Sequence, residues 1–388
     1  MDARSGAGST QGNVEAAEKS VAGKPEGPRS EGPRSEGPRS EGPKSEGPWT
    51  VRKLLGWIAG FLKDREVDSP RHVAEVLLAD VLKVERLKLY MEPDRELAGD
   101  ELAALRALVA RAGRHEPVQF LVGRWTFFGR DFKVAPCTLI PRPCTETLVE
   151  RALEWYRARH AERGAGAVRV LDLCTGTGCI AVSIALGMKA IARPSNAGCK
   201  PLRGERSAVD ALPTISIGEE SAATAAAAAV AETTTGDITV VATDVVREAV
   251  ELARDNARQL GVAIDVRAGD LWGALAHGEE PFDLIVSNPP YVTDAEYAAL
   301  DRNVREYEPA SALRGGADGL DFVRRIVDGA AERIAPGGML LIEIGWKHGD
   351  AARALVSGSP HGKHWQNVEV LKDGDGIDRV LVALRSNA

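Results

Sequence analysis

The sequence has few cysteines, few aromatic side chains, no long apolar run and no excess of positive charge. The five cysteines are Cys137, Cys144, Cys174, Cys179 and Cys199, an odd and scattered set without a Cys-x-x-Cys pair. That argues against a disulfide framework and a zinc site, so reduced thiols and no bound metal are expected. No apolar stretch approaches the roughly 20 residues needed to span a membrane. The opening MDARSGAGSTQGN lacks the apolar core of a signal peptide, so a cytoplasmic protein without a membrane partner is expected. The formal net charge of −7 has the wrong sign for a protein that coats nucleic acid, although a local basic patch is compatible with it.

The 388 residues present are enough for two domains. Residues 1–48 are low in complexity, and from Glu26 to Pro48 they repeat the unit Ser-Glu-Gly-Pro-Arg, with Lys44 replacing the last arginine. Proline and glycine at that density form neither helix nor packed strand, so this segment is expected to be a disordered tail. From Trp49 the pattern turns helical. Val51, Leu54, Leu55, Ile58, Phe61 and Leu62 follow one helix face after a Thr50 cap. A second helix is predicted from Ser69-Pro70, and a third, after Asp100, carries Leu102, Leu105, Leu108 and Val109. Residues 49–113 therefore form a small helical domain. Residues 114–145, with Phe120, Trp125, Phe127, Phe128, Phe132 and several glycines, predict a β-hairpin linker.

Strand and helix signals then alternate through 146–388. Strands are predicted at Val168–Leu173, Ile238–Thr243, Ile264–Ala268, Phe282–Ser287, Met339–Ile344, Val368–Leu371 and Arg379–Leu384. Helices are predicted between them, including Arg247–Leu260 and Leu320–Ile334. The alternation implies a doubly wound α/β sheet of seven strands. Only Gly374–Gly376 joins the last two, which is too short for a parallel crossover, so these two should form an antiparallel hairpin. Residues 189–236, rich in proline and serine and containing the run Ala225–Ala229, far exceed a normal connection of about 2–6 residues and are expected to be a mostly disordered insertion.

Chemistry gathers at the predicted strand ends. Val170-Leu-Asp-Leu-Cys-Thr-Gly-Thr-Gly178 is an apolar strand running into a glycine turn that opens a helix. Gly176-x-Gly178-x-x-Ala181 also fits a loose dinucleotide fingerprint. Asp172 before the turn suits the cationic methionine part of a sulfonium cofactor and would repel a pyrophosphate. Asp244 ends the next strand, where a carboxylate serves equally as a ribose contact or a helix cap. Asp270 follows the third strand and precedes Leu271 and Trp272, suited to an adenine. Three acids at consecutive strand ends mark the carboxyl-edge crevice of such a sheet, and the pattern resembles class I S-adenosylmethionine methyltransferases.

The fourth strand ends in Ser287-Asn288-Pro289-Pro290-Tyr291. An amide nitrogen is a weak nucleophile because its lone pair is delocalised. A site that methylates one must accept hydrogen bonds from its N–H groups and aim the nitrogen at the methyl donor. The Asn288 side-chain oxygen and a neighbouring backbone carbonyl can do this; Pro289 and Pro290 stiffen the turn and remove donors, and Tyr291 can pack on a planar substrate.

Asn-Pro-Pro-Tyr also occurs in adenine-N6 DNA enzymes and some RNA enzymes. Other segments narrow the choice. Ser69-Pro-Arg, Glu116-Pro117, Leu139-Ile-Pro-Arg-Pro143 with Thr145-Glu146, Val304-Arg-Glu-Tyr-Glu-Pro309, Gly315-Gly-Ala-Asp-Gly-Leu320 and Asp378-Arg379 all stand in this chain. With the glycine turn and Asn-Pro-Pro-Tyr they resemble the HemK/PrmC family of peptide chain release factor glutamine-N5 methyltransferases, from about Trp49 to Leu384. The resemblance implies a class I methyltransferase fold behind a helical domain that helps grip the release factor. It implies S-adenosylmethionine as cofactor, held by Asp172, Cys174, Thr175, Gly176, Thr177, Gly178, Asp244, Asp270, Leu271, Trp272 and Asn288. Asn288, Pro289, Pro290 and Tyr291 would hold and present the glutamine of a Gly-Gly-Gln loop, with Arg142 as a further substrate contact. A monomer is expected, with no nucleic-acid partner. The family often has an acid where Cys144 stands and an aromatic where Leu271 stands, a place that Trp272 could take. The rivals are glutamine methylation of a ribosomal protein, amino-group methylation of DNA or RNA, and a non-enzymatic binding module.

Overall fold

The computed structural model describes residues 47–164, 166–192 and 238–387. The expected disordered tail falls outside the described residues except for its last two positions, and so does the expected insertion from residue 193 onward. Lys189 and its next three neighbours belong to a helix.

The first described layer is helical: α1 (Val51–Lys63), α2 (Pro70–Leu82), α3 (Arg86–Met91) and α4 (Gly99–Ala112). Thr50 caps α1, its side chain accepting the Lys53 N–H. Ser69 does not cap α2. It sits at φ 46° with no side-chain bond to the helix, and its hydroxyl donates to Asp68 instead. The helix α4 begins one residue before Asp100, with Glu101 accepting the Ala98 N–H at 2.8 Å. Leu54, Ile58, Leu62, Leu77, Leu78, Leu105 and Val109 meet in one buried core, the stripe that the 3.6-residue period exposes on each helix.

The predicted hairpin is shorter than its aromatic pattern suggested. Val118–Val122 forms a helical turn, α5, so Phe120 is helical. Gly123, at φ 70°, ends it, and β1 (Arg124–Phe127) pairs antiparallel with β2 (Arg130–Lys133). Phe128 and Gly129 both have positive φ, as a two-residue hairpin turn of matching twist requires. Glu146 holds the strained Phe128 by accepting its N–H at 2.7 Å.

The helix α6 (Glu146–Arg163) leads into β3 (Val168–Leu173), α7 (Cys179–Ala192), β4 (Ile238–Asp244), α8 (Arg247–Gln259), β5 (Asp265–Ala268) and β6 (Phe282–Ser287). Two short helices follow, α9 (Asp294–Ala298) and α10 (Arg302–Arg305). The chain then runs through α11 (Asp321–Arg333), β7 (Ile334–Glu343), α12 (Gly349–Gly358), β8 (Trp365–Lys372) and β9 (Asp378–Arg385). The seven-stranded sheet has the order β5-β4-β3-β6-β7-β9-β8. The strands β3 to β7 are parallel, and β9 runs antiparallel to both its neighbours, closing the expected hairpin with β8. Alternate residues of each strand feed two cores. Val168 and Val170 pack with Ile180 and Val250 under α6, α7 and α8, whereas Leu171 and Leu173 pack with Val323 and Ala352 under α11 and α12. This is the class I methyltransferase architecture, a doubly wound sheet with an added antiparallel strand. No helix among the described residues is long and apolar enough to cross a membrane.

The strand order reverses between β3 and β6, so the chain leaves these neighbours towards opposite sides and opens a crevice at their carboxyl ends.

Candidate functional site

A cavity of about 710 Å³ fills that crevice. Its walls come from the turn after β3, the ends of β4 and β5, the turn after β6, the linker around Cys137–Leu139, and the segment between α10 and α11.

The glycine turn forms one wall through Cys174, Thr175, Gly176 and Thr177. Gly176 has φ 55°, and a side chain there would project into near-open space beside Thr138. Gly178 serves packing instead. It does not line the cavity, and a Cβ on it would stand 3.0 Å from Ala253 of α8. Asp172 lies beneath the turn rather than in the wall. It is fully buried, and its Oδ2 accepts the Thr175 hydroxyl at 2.6 Å and the Ala181 N–H at 3.2 Å. Its position inside the sheet, one residue before the strand ends, points it under the loop and leaves Oδ1 without a partner among the described residues.

Asp244 and Asp270 do reach the cavity, with Leu271 beside them. The Asp244 carboxylate accepts the Val246 N–H on Oδ1 and the Gly176 N–H on Oδ2, each at 2.9 Å. It therefore ties the glycine turn to the end of β4 and still has lone pairs to offer. Of the four aspartates in the wall, Asp270, Asp294 and Asp321 are paired with Arg325, Arg314 and Arg324. Asp244 has no such partner among the described residues, and burial raises its pKa above the ordinary carboxylate value.

Leu271 supplies the apolar floor next to Asp270. Trp272 points away: its indole N–H donates to the Arg325 carbonyl at 2.9 Å, and the ring packs over Gly329 of α11, where a Cβ would lie 2.1 Å from it. The adenine contact expected of Trp272 is thus not available. The aromatic ring in the wall is Phe322.

Asn288 and Pro290 line the cavity at the end of β6, next to the end of β3, while Pro289 is buried and outside the lining. The Asn288 Nδ2 donates to Thr145 Oγ1 at 3.2 Å, which leaves Oδ1 for a ligand. Tyr291 turns inward, and its hydroxyl donates to Glu343 at 3.1 Å. It forms no part of the wall, contrary to the expected packing on a substrate. Arg142 is also outside the cavity. It pairs with the buried Glu308, which also accepts the Ile140 N–H at 3.0 Å, so this arginine pins the linker to the segment after α10.

The turn after β6 is held from the far side by the 313–319 loop. Val292 N–H donates to the Leu313 carbonyl and Gly315 N–H to the Val292 carbonyl, both at 2.8 Å. A Cβ on Gly315 would meet the Tyr291 Cα at 2.7 Å, so only glycine allows the two backbones to lie this close.

Two family models match the chain: the PrmC N-terminal domain over residues 53–123 and the methyltransferase small domain over residues 223–307. A release factor glutamine methyltransferase of Geobacter sulfurreducens is 38% identical over 86% of this chain and 96% of its own. The chain belongs to the release factor glutamine methyltransferase family. Relatives bearing the same description in Koribacter versatilis and Bacillus subtilis are 34% and 32% identical, covering 93% and 98% of their own lengths. A solved protein-(glutamine-N5) methyltransferase from Alicyclobacillus acidocaldarius aligns over 66% of this chain and 99% of that one, with 24% identity and a TM-score of 0.32.

The structure also gives a part to residues that the sequence pattern left unassigned. Asn256 of α8 is fully buried. It bonds both backbone groups of Lys133 and, at 2.8 Å, the Thr177 carbonyl, so it braces the hairpin against the glycine turn. One mid-helix asparagine carries no local signal of such a role. Thr145 and Glu343 are likewise visible only once β6, β7 and the start of α6 are side by side.

Asp172 carries a pH dependence. Burial, more than the repulsion of Asp244, pushes its pKa from 3.8 up to about 7, against the bonds from Thr175 and Ala181 that favour the charged form. In that window the folded chain binds a proton that the unfolded chain does not, so raising the pH through it lowers stability. The melting temperature of the ligand-free protein is expected to fall between about pH 4 and about pH 7, and Asp172→Asn to flatten part of that fall. An unchanged slope in the variant would mean the proton sits elsewhere.

Proposed function

We propose that the protein transfers a methyl group from S-adenosylmethionine to the N5 side-chain amide of the glutamine in the Gly-Gly-Gln loop of a peptide chain release factor, in support of translation termination. The observation that carries this reading is Asn288 Oδ1, left free by the Thr145 bond to Nδ2, in a cavity that the glycine turn, Asp244 and Leu271 also line.

The residues fit the cofactor. Asp244, unpaired by any arginine, suits ribose hydroxyls and a nearby cationic sulfonium; a pyrophosphate would meet its charge and that of Asp270. Cys174, Thr175, Gly176 and Thr177 offer a close backbone approach, and Leu271 offers a flat apolar contact. When bound, S-adenosylmethionine supplies the reactive methyl group. The chain's own residues supply position and electrostatics. Asn288 Oδ1 and a neighbouring backbone carbonyl of the turn accept the two N–H bonds of the substrate amide. As the nitrogen gains positive charge, both bonds strengthen, because an acceptor meets a charged donor better than a neutral one. Pro289 and Pro290 keep the turn from rearranging and bring no competing N–H.

The same reading makes the acceptor a protein and not a nucleobase, with the enzyme acting as a cytoplasmic monomer. The relatives named for release factor methylation match over most of their length, and the net charge of −7 lacks the overall basic excess of a nucleic-acid-coating protein. One glutamine loop offers too little area for a specific interface, so surfaces outside the cavity take part.

The test is methyl transfer from labelled cofactor to a whole release factor, mapped by mass spectrometry, beside a ribosomal protein fraction, DNA and RNA. Label on the loop glutamine is expected, with none on a factor carrying alanine there and little on a short loop peptide. Stoichiometric label on a ribosomal protein or a nucleic acid, with none on the factor, would overturn the proposal.

A further inference from the structure

The strand β7 runs parallel to β6, so its carboxyl end reaches the edge of the sheet where the cavity opens. Just beyond that end, in the turn before α12, Trp346 stands 60% exposed. The Lys347 ammonium lies 4.6 Å from its ring centroid and pairs at 3.0 Å with Glu296 of α9. The helix α9 has five residues and buries none of them. A helix so short does not persist on its own hydrogen bonds. This one is pinned from both sides. Thr293 and Glu296 close a capping box at its start, and Lys347 holds Glu296. Arg314 pairs with Asp294 at 2.6 Å, its guanidinium 5.4 Å from the Tyr297 ring centroid. Asp294 and Arg314 also belong to the cavity wall.

The outcome is a fixed strip that runs outward from the mouth of the cavity. It passes from Arg314 and Tyr297, over the exposed Ala295 and Ala298, to Lys347 and Trp346. Holding long side chains in place at a surface costs conformational entropy, and here it fills no core. Trp, Tyr and Arg are the side chains that carry most of the binding energy in protein interfaces. Small alanines between them let a partner's backbone come close. The charges balance, Arg314 and Lys347 against Asp294 and Glu296, so a phosphate backbone gains no net attraction here. Position decides the occupant. A loop that sends one side chain into the cavity lays its flanks on the lip of the mouth. One side chain supplies only a fraction of the about 800 Å² per partner that a specific interface buries.

We propose that this strip, from Arg314 across α9 to Trp346, is a docking surface for the protein that carries the acceptor glutamine. Trp346 anchors the partner outside the cavity. Arg314, whose Nε and Nη2 are engaged by Asp294, offers its Nη1 donors to backbone carbonyls of the entering loop. This rests on the reading of the cavity as the site of protein amide methylation.

Trp346→Ala removes the anchor without touching the core, and Ala298→Arg sets a bulky side chain on the exposed side of α9. In the full-length enzyme, each is expected to raise KM for a whole release factor roughly 10- to 30-fold, the scale of losing one interface anchor. The kcat at saturating factor, the melting temperature and the calorimetric affinity for S-adenosylhomocysteine should match the parent, because neither residue lines the cavity. So should kcat/KM for a capped Gly-Gly-Gln peptide, which is too short to lie along the strip. Trp346→Phe should recover most of the loss. An unchanged KM for the factor in either variant overturns the proposal. An equal loss with the peptide overturns it too, by placing the effect in the cavity. A parent dimer that Trp346→Ala disperses would do the same, by assigning the strip to a second copy of this chain. Should the parent label a ribosomal protein and leave the factor unlabelled, the functional reading fails, and the same comparison on that protein decides the strip. Label on nucleic acid alone overturns both.

Discussion

In Asn288→Ala, kcat for the release factor falls by roughly 10²- to 10³-fold, the scale set by removing one preorganised group at a reacting centre. The physical ground is the geometry at the end of β6. Asn288 Oδ1 is the side-chain acceptor that faces the cavity there, because Nδ2 is engaged by Thr145. Without it, the substrate amide keeps one acceptor, a backbone carbonyl of the turn, and rotates about that single bond. The lone pair of an amide nitrogen lies out of the amide plane, so rotation directly misaligns the nucleophile. Binding of the cofactor, which rests mainly on the glycine turn and Asp244, should change by less than about threefold, under 1 kcal/mol. Single-turnover rates with labelled cofactor and calorimetric affinities measure the two effects separately. A variant that turns over at nearly the parent rate would remove Asn288 from the mechanism.

Asp244→Ala has the opposite signature. Losing hydrogen bonds from a charged acceptor costs about 1.5–3 kcal/mol each, so cofactor affinity should drop by at least roughly tenfold, while kcat at saturating cofactor changes much less. The wall offers no substitute, because each of its other aspartates already faces an arginine. Part of the loss is indirect, since Asp244 also accepts the Gly176 and Val246 N–H groups. Asp244→Asn separates the two shares: it keeps one acceptor for the turn and removes the charge. If both variants bind S-adenosylhomocysteine as the parent does, Asp244 only ties the turn together.

How legible these roles were depends on the distance over which each is decided. The glycine turn is a local object. An apolar strand, a Gly-x-Gly at positive φ and a helix follow from adjacent residues, and the structure places Cys174 to Thr177 in the wall as that pattern implies. Asp244 and Asp270 were readable for the same reason, since parallel strands bring their carboxyl ends to one edge. Asp172 shared that pattern but sits one residue inside its strand, and a shift of one residue in a pleated strand turns a side chain to the other face. Trp272 and Leu271 differ by one residue too, and the small side of α11 at Gly329 is what draws the indole away. Arg142 looked like a free cation for a substrate because its partner, Glu308, is 166 residues away.

By itself the sequence determined the strands and most of the helices, the antiparallel closing hairpin and the segments that make the crevice. These follow from hydrophobic period, turn chemistry and connection length, which are properties of neighbouring residues. Only the tertiary structure decided which members of each segment face the cavity and what holds them. Asn288 meets Thr145 across 143 residues, and Tyr291 meets Glu343 across 52. The direction of a side chain at such a meeting is set by packing from three or four elements at once, and no local pattern contains that information.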